Sequence, residues 1–388
     1  MTPARPAARP AVVVLSERLG AVTAQERRLE AAGAVVRGAP LWTREEIAAN
    51  AAGAEVVILG AVEPFDAAAM ERLPGLLAVV RRGVGHDNVD LDAASRLGIV
   101  VANVPDASVE EVSDHALALL LAVERAVPWL DAAVHEGRWR HDPAEIEAIR
   151  RGARRLNRLT LGVVGFGRIG RALARKARAV YGRVVASDPV VAPDEAARAG
   201  VELLGLDDLL GAADHVSLHA PLLPATRHLI GARALAAMRP GAVLVNTSRG
   251  GLVDEAAVLA AVESGHLRGA GLDVTGQEPL APDDPLLRSR RVVLTAHSAA
   301  SSSTTAVELV ARSVDAAIDL VNGRRPASVV NEDVLASPAL RHRALARTDG
   351  SGDAGSAAAG STETGPTATT PTATTAMPRS DITLRRIG

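Results

Sequence analysis

Three polar residues sit in otherwise apolar stretches of the second half of the chain: Arg249 in NTSRGG, Glu278 in LDVTGQEP and His297 in LTAHSAAS. A guanidinium grips a carboxylate, or polarises a carbonyl, through a planar fork of charged donors that lysine cannot match. An imidazole titrates near neutral pH, so it can give a proton to a carbonyl oxygen and take one back from a hydroxyl. A carboxylate beside that imidazole orients it and favours its protonated form. Arg249, Glu278 and His297 are therefore the groups that reducing a 2-keto acid requires, with Arg249 holding the substrate, His297 as acid/base and Glu278 as its partner. Singly, each has a plainer account: an arginine on a loop, a glutamate in a turn, a histidine ending a strand. Each follows a strand-like run, however, and in open α/β sheets the crevice lies beyond the carboxyl ends of the strands, where positions far apart in sequence converge.

Upstream, LTLGVVGFGRIGRALARKA places Gly165, Gly167 and Gly170 where an apolar run turns into an amphipathic helix, with Phe166, Arg168 and Ile169 between them. This is the arrangement of a dinucleotide-binding turn: one glycine for the bend, one for backbone approach to a pyrophosphate, one for packing helix on strand. The helix start adds free NH groups for the anion. The next strand-like run, VVASD, ends in Asp188, where an acid can bond both ribose hydroxyls and repel a 2'-phosphate. NAD is the expected cofactor.

The elements that must carry these residues alternate. Strand-like runs are expected at Ala11–Leu15, Val56–Gly60, Leu76–Arg81, Leu161–Gly165, Val184–Asp188, His215–His219, Ala242–Asn246 and Val292–Thr295. Helical stretches lie between them, a rhythm of parallel α/β sheets. From Ser108 to Val127 runs a helix with almost no polar face in its middle, expected to lie between two bodies. Another runs from about Ser301 to Asn322 and stops at Gly323. Expected domains are 1–107, the first part of a substrate-binding domain; 108–299, a nucleotide-binding domain; 300–336, a return helix completing the first; and 337–388, a low-complexity disordered tail.

Composition removes other classes. With 388 residues, 43 basic against 45 acidic side chains and six aromatic residues, there is neither a basic field nor a stacking platform for nucleic acid. The absence of cysteine removes disulfides and thiolate chemistry, and the histidines show no metal-site spacing. No segment reaches the roughly 18 apolar residues of a membrane span, and no signal-peptide core follows the N-terminus, so a cytoplasmic location is expected.

Taken together, GFGRIG, SDP, NTSRGGLVDE, GLDVTGQEP and AHSAAS resemble the D-isomer-specific 2-hydroxyacid dehydrogenase family over roughly residues 10–335. RRGVGHDNVD and VANVPDASVEEVSDHALALLLAVERAVPWLDAAVHEG most closely resemble its C-terminal-binding-protein and phosphoglycerate-dehydrogenase-like branch. The resemblance implies two Rossmann-like, doubly wound parallel-sheet domains with a cleft between them, of the formate/glycerate dehydrogenase type, and a homodimer made by nucleotide-domain helices. It implies that Val84 and Gly85 bind the substrate carboxylate through backbone NH groups, and that Asp273 holds the nicotinamide amide. Further cofactor contacts would come from Pro221, Thr226, Thr247, Ser248, Arg249 and His297. The chain departs from the family pattern at Ala296, where proline is usual, and at Ala300, where the C-terminal-binding-protein branch carries tryptophan. The second function the resemblance allows is an NAD(H)-sensing scaffold with little catalysis.

Overall fold

A computed structural model describes residues 10–17 and 23–345. Two sheets, every strand pairing parallel, organise them. The first has the order β2-β1-β3-β4-β5, with β1 Ala11–Ser16, β2 Ala34–Ala39, β3 Val56–Leu59, β4 Ala78–Arg81 and β5 Val100–Asn103. The second has the order β12-β11-β10-β9-β6-β7-β8. Its strands are β6 Thr160–Val164, β7 Arg183–Ser187, β8 Glu202–Leu203, β9 His215–Leu218, β10 Ala242–Asn246, β11 Leu267–Leu272 and β12 Val292–Leu294. Both faces of each sheet are covered, which is why the strands read as unbroken apolar runs instead of alternating ones. On the first sheet, Val13, Ile58 and Val80 pack against Val314, Ala317 and Leu320, while Val14, Val57 and Val79 pack against Ile47, Phe65 and Met70.

The chain crosses between the sheets twice. After β5 it enters the helix Val109–Glu124, whose Ala116, Leu119, Leu120 and Val123 are buried with Leu161, Val163 and Val245 of the second sheet. This helix lies on one face of the second sheet and is not wedged between two bodies as its composition suggests. A Cβ on Gly271 would come within 3.0 Å of Leu119 Cβ, so bare backbone in β11 admits the helix. The return helix Ser303–Val321, capped by the Ser302 hydroxyl on the Thr305 NH, covers the first sheet and ends before Gly323 at φ 68°. No helix of the described residues is long and apolar enough to cross a membrane.

The return does not end at Ala336. Ser337–Leu345, assigned to the tail by sequence, is stitched to the first sheet: Leu340 and Leu345 are buried in its core. Arg341 donates to the carbonyls of Leu73 and Leu76, and His342 Nε2 bonds the Leu320 carbonyl at 2.7 Å. Leucine and histidine spaced among arginines give no periodic signal, so composition misplaces the boundary. The remainder of the expected tail, from Ala346 on, lies outside the described residues.

A buried ion cluster closes the amino-terminal edge of the second sheet. The Glu124 carboxylate, fully buried, accepts from the Arg154 NH at 2.6 Å, from Arg154 Nη2 at 2.7 Å and from His215 Nε2 at 2.9 Å, while the Tyr181 hydroxyl meets His215 Nδ1 at 2.6 Å. Burial lowers the His215 pKa and so favours the neutral ring; with Nε2–H given to Glu124, Nδ1 of that neutral ring accepts from Tyr181. Burial alone would raise the Glu124 carboxyl; hydrogen bonds from His215 and Arg154 outweigh it and hold it at about 2.

Both the stitched segment and the ion cluster bear on stability. A chain ending at Ala336 should melt several degrees below one ending at Leu345, since two buried leucines are worth about 3 kcal/mol or more; equal melting temperatures would mean that the segment only rests on the surface. Glu124 should contribute stability fully at pH above its ordinary 4.5 and lose it as pH falls toward about 2. Glu124→Gln should therefore cost about 3 kcal/mol near neutrality and flatten the acid limb of the stability–pH curve, measured by urea unfolding.

Candidate active site

The carboxyl ends of β10, β11 and β12 lie side by side, with Asn246 opposite Leu272 and Leu272 opposite Leu294. The segments that follow carry Arg249, Glu278 and His297, so parallel pairing brings the three to one edge. Nδ1 of His297 lies 2.7 Å from Glu278 Oε2, and both side chains are partly exposed, at 44% and 37%. That bond occupies one ring nitrogen and leaves Nε2 for a ligand. Glu278 is itself held by the Thr275 NH on Oε1 at 3.0 Å.

Arg249 reaches from the second sheet to the first. Its Nε donates to Asp87 Oδ2 at 2.6 Å and its Nη1 to the Ser248 carbonyl at 2.7 Å. A Cβ on Gly85 would fall 1.6 Å from Arg249 Nη2, so only glycine lets the guanidinium lie on that loop. Asn103 Nδ2 fixes the loop by donating to the Val84 carbonyl at 2.8 Å, and the NH groups of Val84 and Gly85 meet no acceptor among the described residues. Behind them Arg81 is buried with its Nε unpaired; burial and the neighbouring Arg249 charge lower its pKa to about 10. His86 is half-buried, not solvent-facing, and burial pushes its imidazole down.

The glycine turn follows β6, at the point where strand order reverses. Gly165 has φ 90° and a Cβ there would lie 2.6 Å from the Ala220 NH; one on Gly170 would lie 2.1 Å from the Gly165 carbonyl oxygen. At Gly167, which starts the helix Arg168–Ala177, a Cβ would meet nothing within 4 Å, so open space faces the turn there. Arg168 is exposed and Ile169 half-buried, whereas the Phe166 side chain is core and only its backbone borders the turn. The Phe166 NH donates to Asp188 Oδ2 at 2.7 Å, and Oδ1 accepts the Val190 NH at 2.9 Å. Asp188 thus caps its own turn as well as standing at the end of β7. The Thr226 hydroxyl closes its loop by donating to the Pro221 carbonyl at 2.7 Å. The Ser248 hydroxyl bonds the Leu218 carbonyl, and the buried Thr247 hydroxyl has no protein partner. That orphan hydroxyl and the open space at Gly167 fit a dinucleotide laid across the strand ends.

Sequence reasoning missed Asp87, Arg81, His115 and Thr295, which join the site through their contacts with other residues. Asp87 directly follows the glycine loop and had a signal in its charge. His115 sits just before the apolar middle of its helix, and nothing in its spacing announces Thr295 Oγ1, 3.0 Å from its Nε2.

Comparison with known proteins agrees with this geometry. The family model for the NAD binding domain of D-isomer specific 2-hydroxyacid dehydrogenases matches residues 117–299. The D-3-phosphoglycerate dehydrogenase of Mycobacterium tuberculosis is 43% identical over 260 residues, 67% of this chain and 48% of that protein. The chain thus spans about half the length of the first curated relatives it matches. The glyoxylate reductase of Korarchaeum cryptofilum is 41% identical over 273 residues, 70% of this chain and 81% of that one. A crystal structure of a Thermus thermophilus protein superposes with a TM-score of 0.73 at 37% identity, covering 82% of this chain and 99% of its own. A dinucleotide turn at the strand reversal, a histidine–carboxylate pair beside a cleft-spanning arginine, and this extent of similarity lead to one conclusion: the chain belongs to the D-isomer-specific 2-hydroxyacid dehydrogenase family.

Proposed function

We propose that the chain is an NAD-dependent oxidoreductase that interconverts a D-2-hydroxy acid and its 2-keto acid. The observation that carries this reading is the 2.7 Å bond from His297 Nδ1 to Glu278, at the same sheet edge as Arg249. In reduction, His297 gives its Nε2 proton to the substrate's carbonyl oxygen; in oxidation the neutral ring takes the hydroxyl proton, and Glu278 offsets the charge that develops. Arg249 and the free NH groups of Val84 and Gly85 hold the substrate carboxylate. When bound, the nicotinamide supplies the hydride to the 2-carbon or accepts it from there. Gly165, Phe166, Gly167, Arg168, Ile169 and Gly170 carry the pyrophosphate, and Asp188 takes the ribose hydroxyls, which favours NAD over NADP. Pro221, Thr226, Thr247 and Ser248 line the nicotinamide half, bordered by Arg249 and His297, and Asp273 is buried behind the His297 loop with both oxygens taken by Thr295, Ser298 and Ala299.

The substrate is a short, anionic 2-keto acid. Arg249 and Arg81 make the pocket cationic, and two relatives are named for short anionic acids, glyoxylate and D-3-phosphoglycerate. A homodimer would use the helices Val127–His135 and Arg138–His141, which leave Val127, Val134 and Trp139 exposed.

The test is NADH oxidation against a panel of 2-keto acids from glyoxylate to branched and aromatic ones. With the best substrate, His297→Ala should lower kcat by about 100-fold or more and leave NADH affinity within about threefold. Turnover that survives the change sinks the assignment. NADH binding without turnover of any acid, coupled to a change of oligomeric state, would favour the sensing scaffold. Asp188→Asn, which keeps an acceptor for the Phe166 NH but removes the charge, should raise NADPH use relative to NADH by about tenfold; a wild type that already prefers NADPH would refute the ribose argument.

A further inference from the structure

The loop that carries His297 is wrapped around a single carboxylate. Asp273, 1% exposed, accepts the Thr295 hydroxyl at 2.6 Å and the Ser298 NH at 2.9 Å on Oδ1, and the Ala299 NH at 3.0 Å on Oδ2. Its carbonyl accepts the His297 NH at 2.8 Å. Within that wrap His297 stands at φ 49°, a left-handed conformation that is strained for a non-glycine residue and persists only where its surroundings impose it. The ring's aim at Glu278 therefore depends on the Asp273 knot.

One side chain from outside the loop enters the knot. His115, on the helix Val109–Glu124, places Nε2 3.0 Å from Thr295 Oγ1 and 3.4 Å from Asp273 Oδ1. The Thr295 proton is directed to the carboxylate, so its oxygen presents only lone pairs to His115. Nε2 must then carry a proton and donate it, which fixes the tautomer. The helix is rooted in the core of the second sheet by Ala116, Leu119 and Leu120, so it is a rigid mount.

We propose that His115 is a positioning residue for the hydride-transfer chemistry: by donating to Thr295 Oγ1 it locks the Asp273 knot and so holds His297 in its working orientation. The proposal rests on the acid/base role of His297 given above. It concerns a residue that touches neither substrate nor cofactor, and it predicts a loss in kcat with little change in binding.

The experiment compares wild type, His115→Ala, His115→Gln and His297→Ala by steady-state kinetics, NADH titration and amide hydrogen exchange across residues 295–299. His115→Ala should lower kcat by about tenfold, the scale of a slightly misplaced catalytic group, with KM and NADH affinity within about twofold. Exchange at Ser298 and Ala299 should speed up by a similar factor while the sheet strands are unchanged. His115→Gln, whose amide reaches the same oxygen, should restore most of both. Wild-type kcat and exchange in His115→Ala, or a Gln variant no better than Ala, would overturn the proposal. A His297→Ala variant that keeps turnover would instead bring down the acid/base reading, and exchange would still decide whether His115 holds the loop.

Discussion

The buried carboxylate of Asp273 is the constraint on which the active-site edge depends. An ionised carboxylate removed from water is costly unless donors replace its hydration, and here the replacements come from the segment after β12. Three donors from Thr295, Ser298 and Ala299 converge on it, and the chain can bring them there only by folding over Asp273. His297 lies inside that fold and takes the left-handed backbone it requires. The orientation of the His297 imidazole is thus set by electrostatic satisfaction of a neighbour and not by packing of the ring, which remains partly exposed. The arrangement suits an acid/base: its ring is free to meet a ligand while its backbone is fixed.

The two crossovers show the same division between what is fixed and what can yield. The Ser302 hydroxyl, while capping its own helix, donates to Glu111 at 2.7 Å, and the Thr305 hydroxyl reaches the Ala107 carbonyl. These bonds tie the start of the helix Val109–Glu124 to the start of the return helix, so the strands of chain joining the sheets are clamped to each other. Across the cleft, by contrast, Arg249 and Asp87 form a partly exposed pair, 28% and 45% accessible. Such a pair is worth no more than about 1 kcal/mol. The crossover side is thus tied by buried and half-buried bonds, whereas a partly exposed ion pair bridges the Arg249 side. In the function proposed above, a substrate carboxylate that draws Arg249 from Asp87 exchanges one anion for another at little cost.

Much of this was legible in the sequence where a residue's role is local. The glycine turn could be read because bends and close approaches demand glycine at fixed offsets, and Gly165 and Gly170 meet those demands. The positions after β10 and β12 could be read because parallel sheets gather strand ends. Three of the strands that escaped notice did so for physical reasons: β2 is an edge strand with exposed Arg37 and Gly38, β11 carries glycines to admit a helix, and β8 has only two residues. The partners that escaped notice, Asp87 and His115, act across 162 and 180 residues of chain, a separation at which spacing carries no information.

Asp188 shows why a residue can satisfy two readings at once. As a turn cap it accepts the Val190 NH, and as a brace it accepts the Phe166 NH inside the glycine turn. A carboxylate offers about four acceptor sites, so about two remain after these bonds. Both bonds hold the group in place at the end of β7, so its remaining lone pairs are preorganised for the proposed ribose contact. Removing the side chain would disturb the turn and the discrimination together. Removing only its charge separates them, because the turn needs an acceptor whereas rejection of a 2'-phosphate needs an anion.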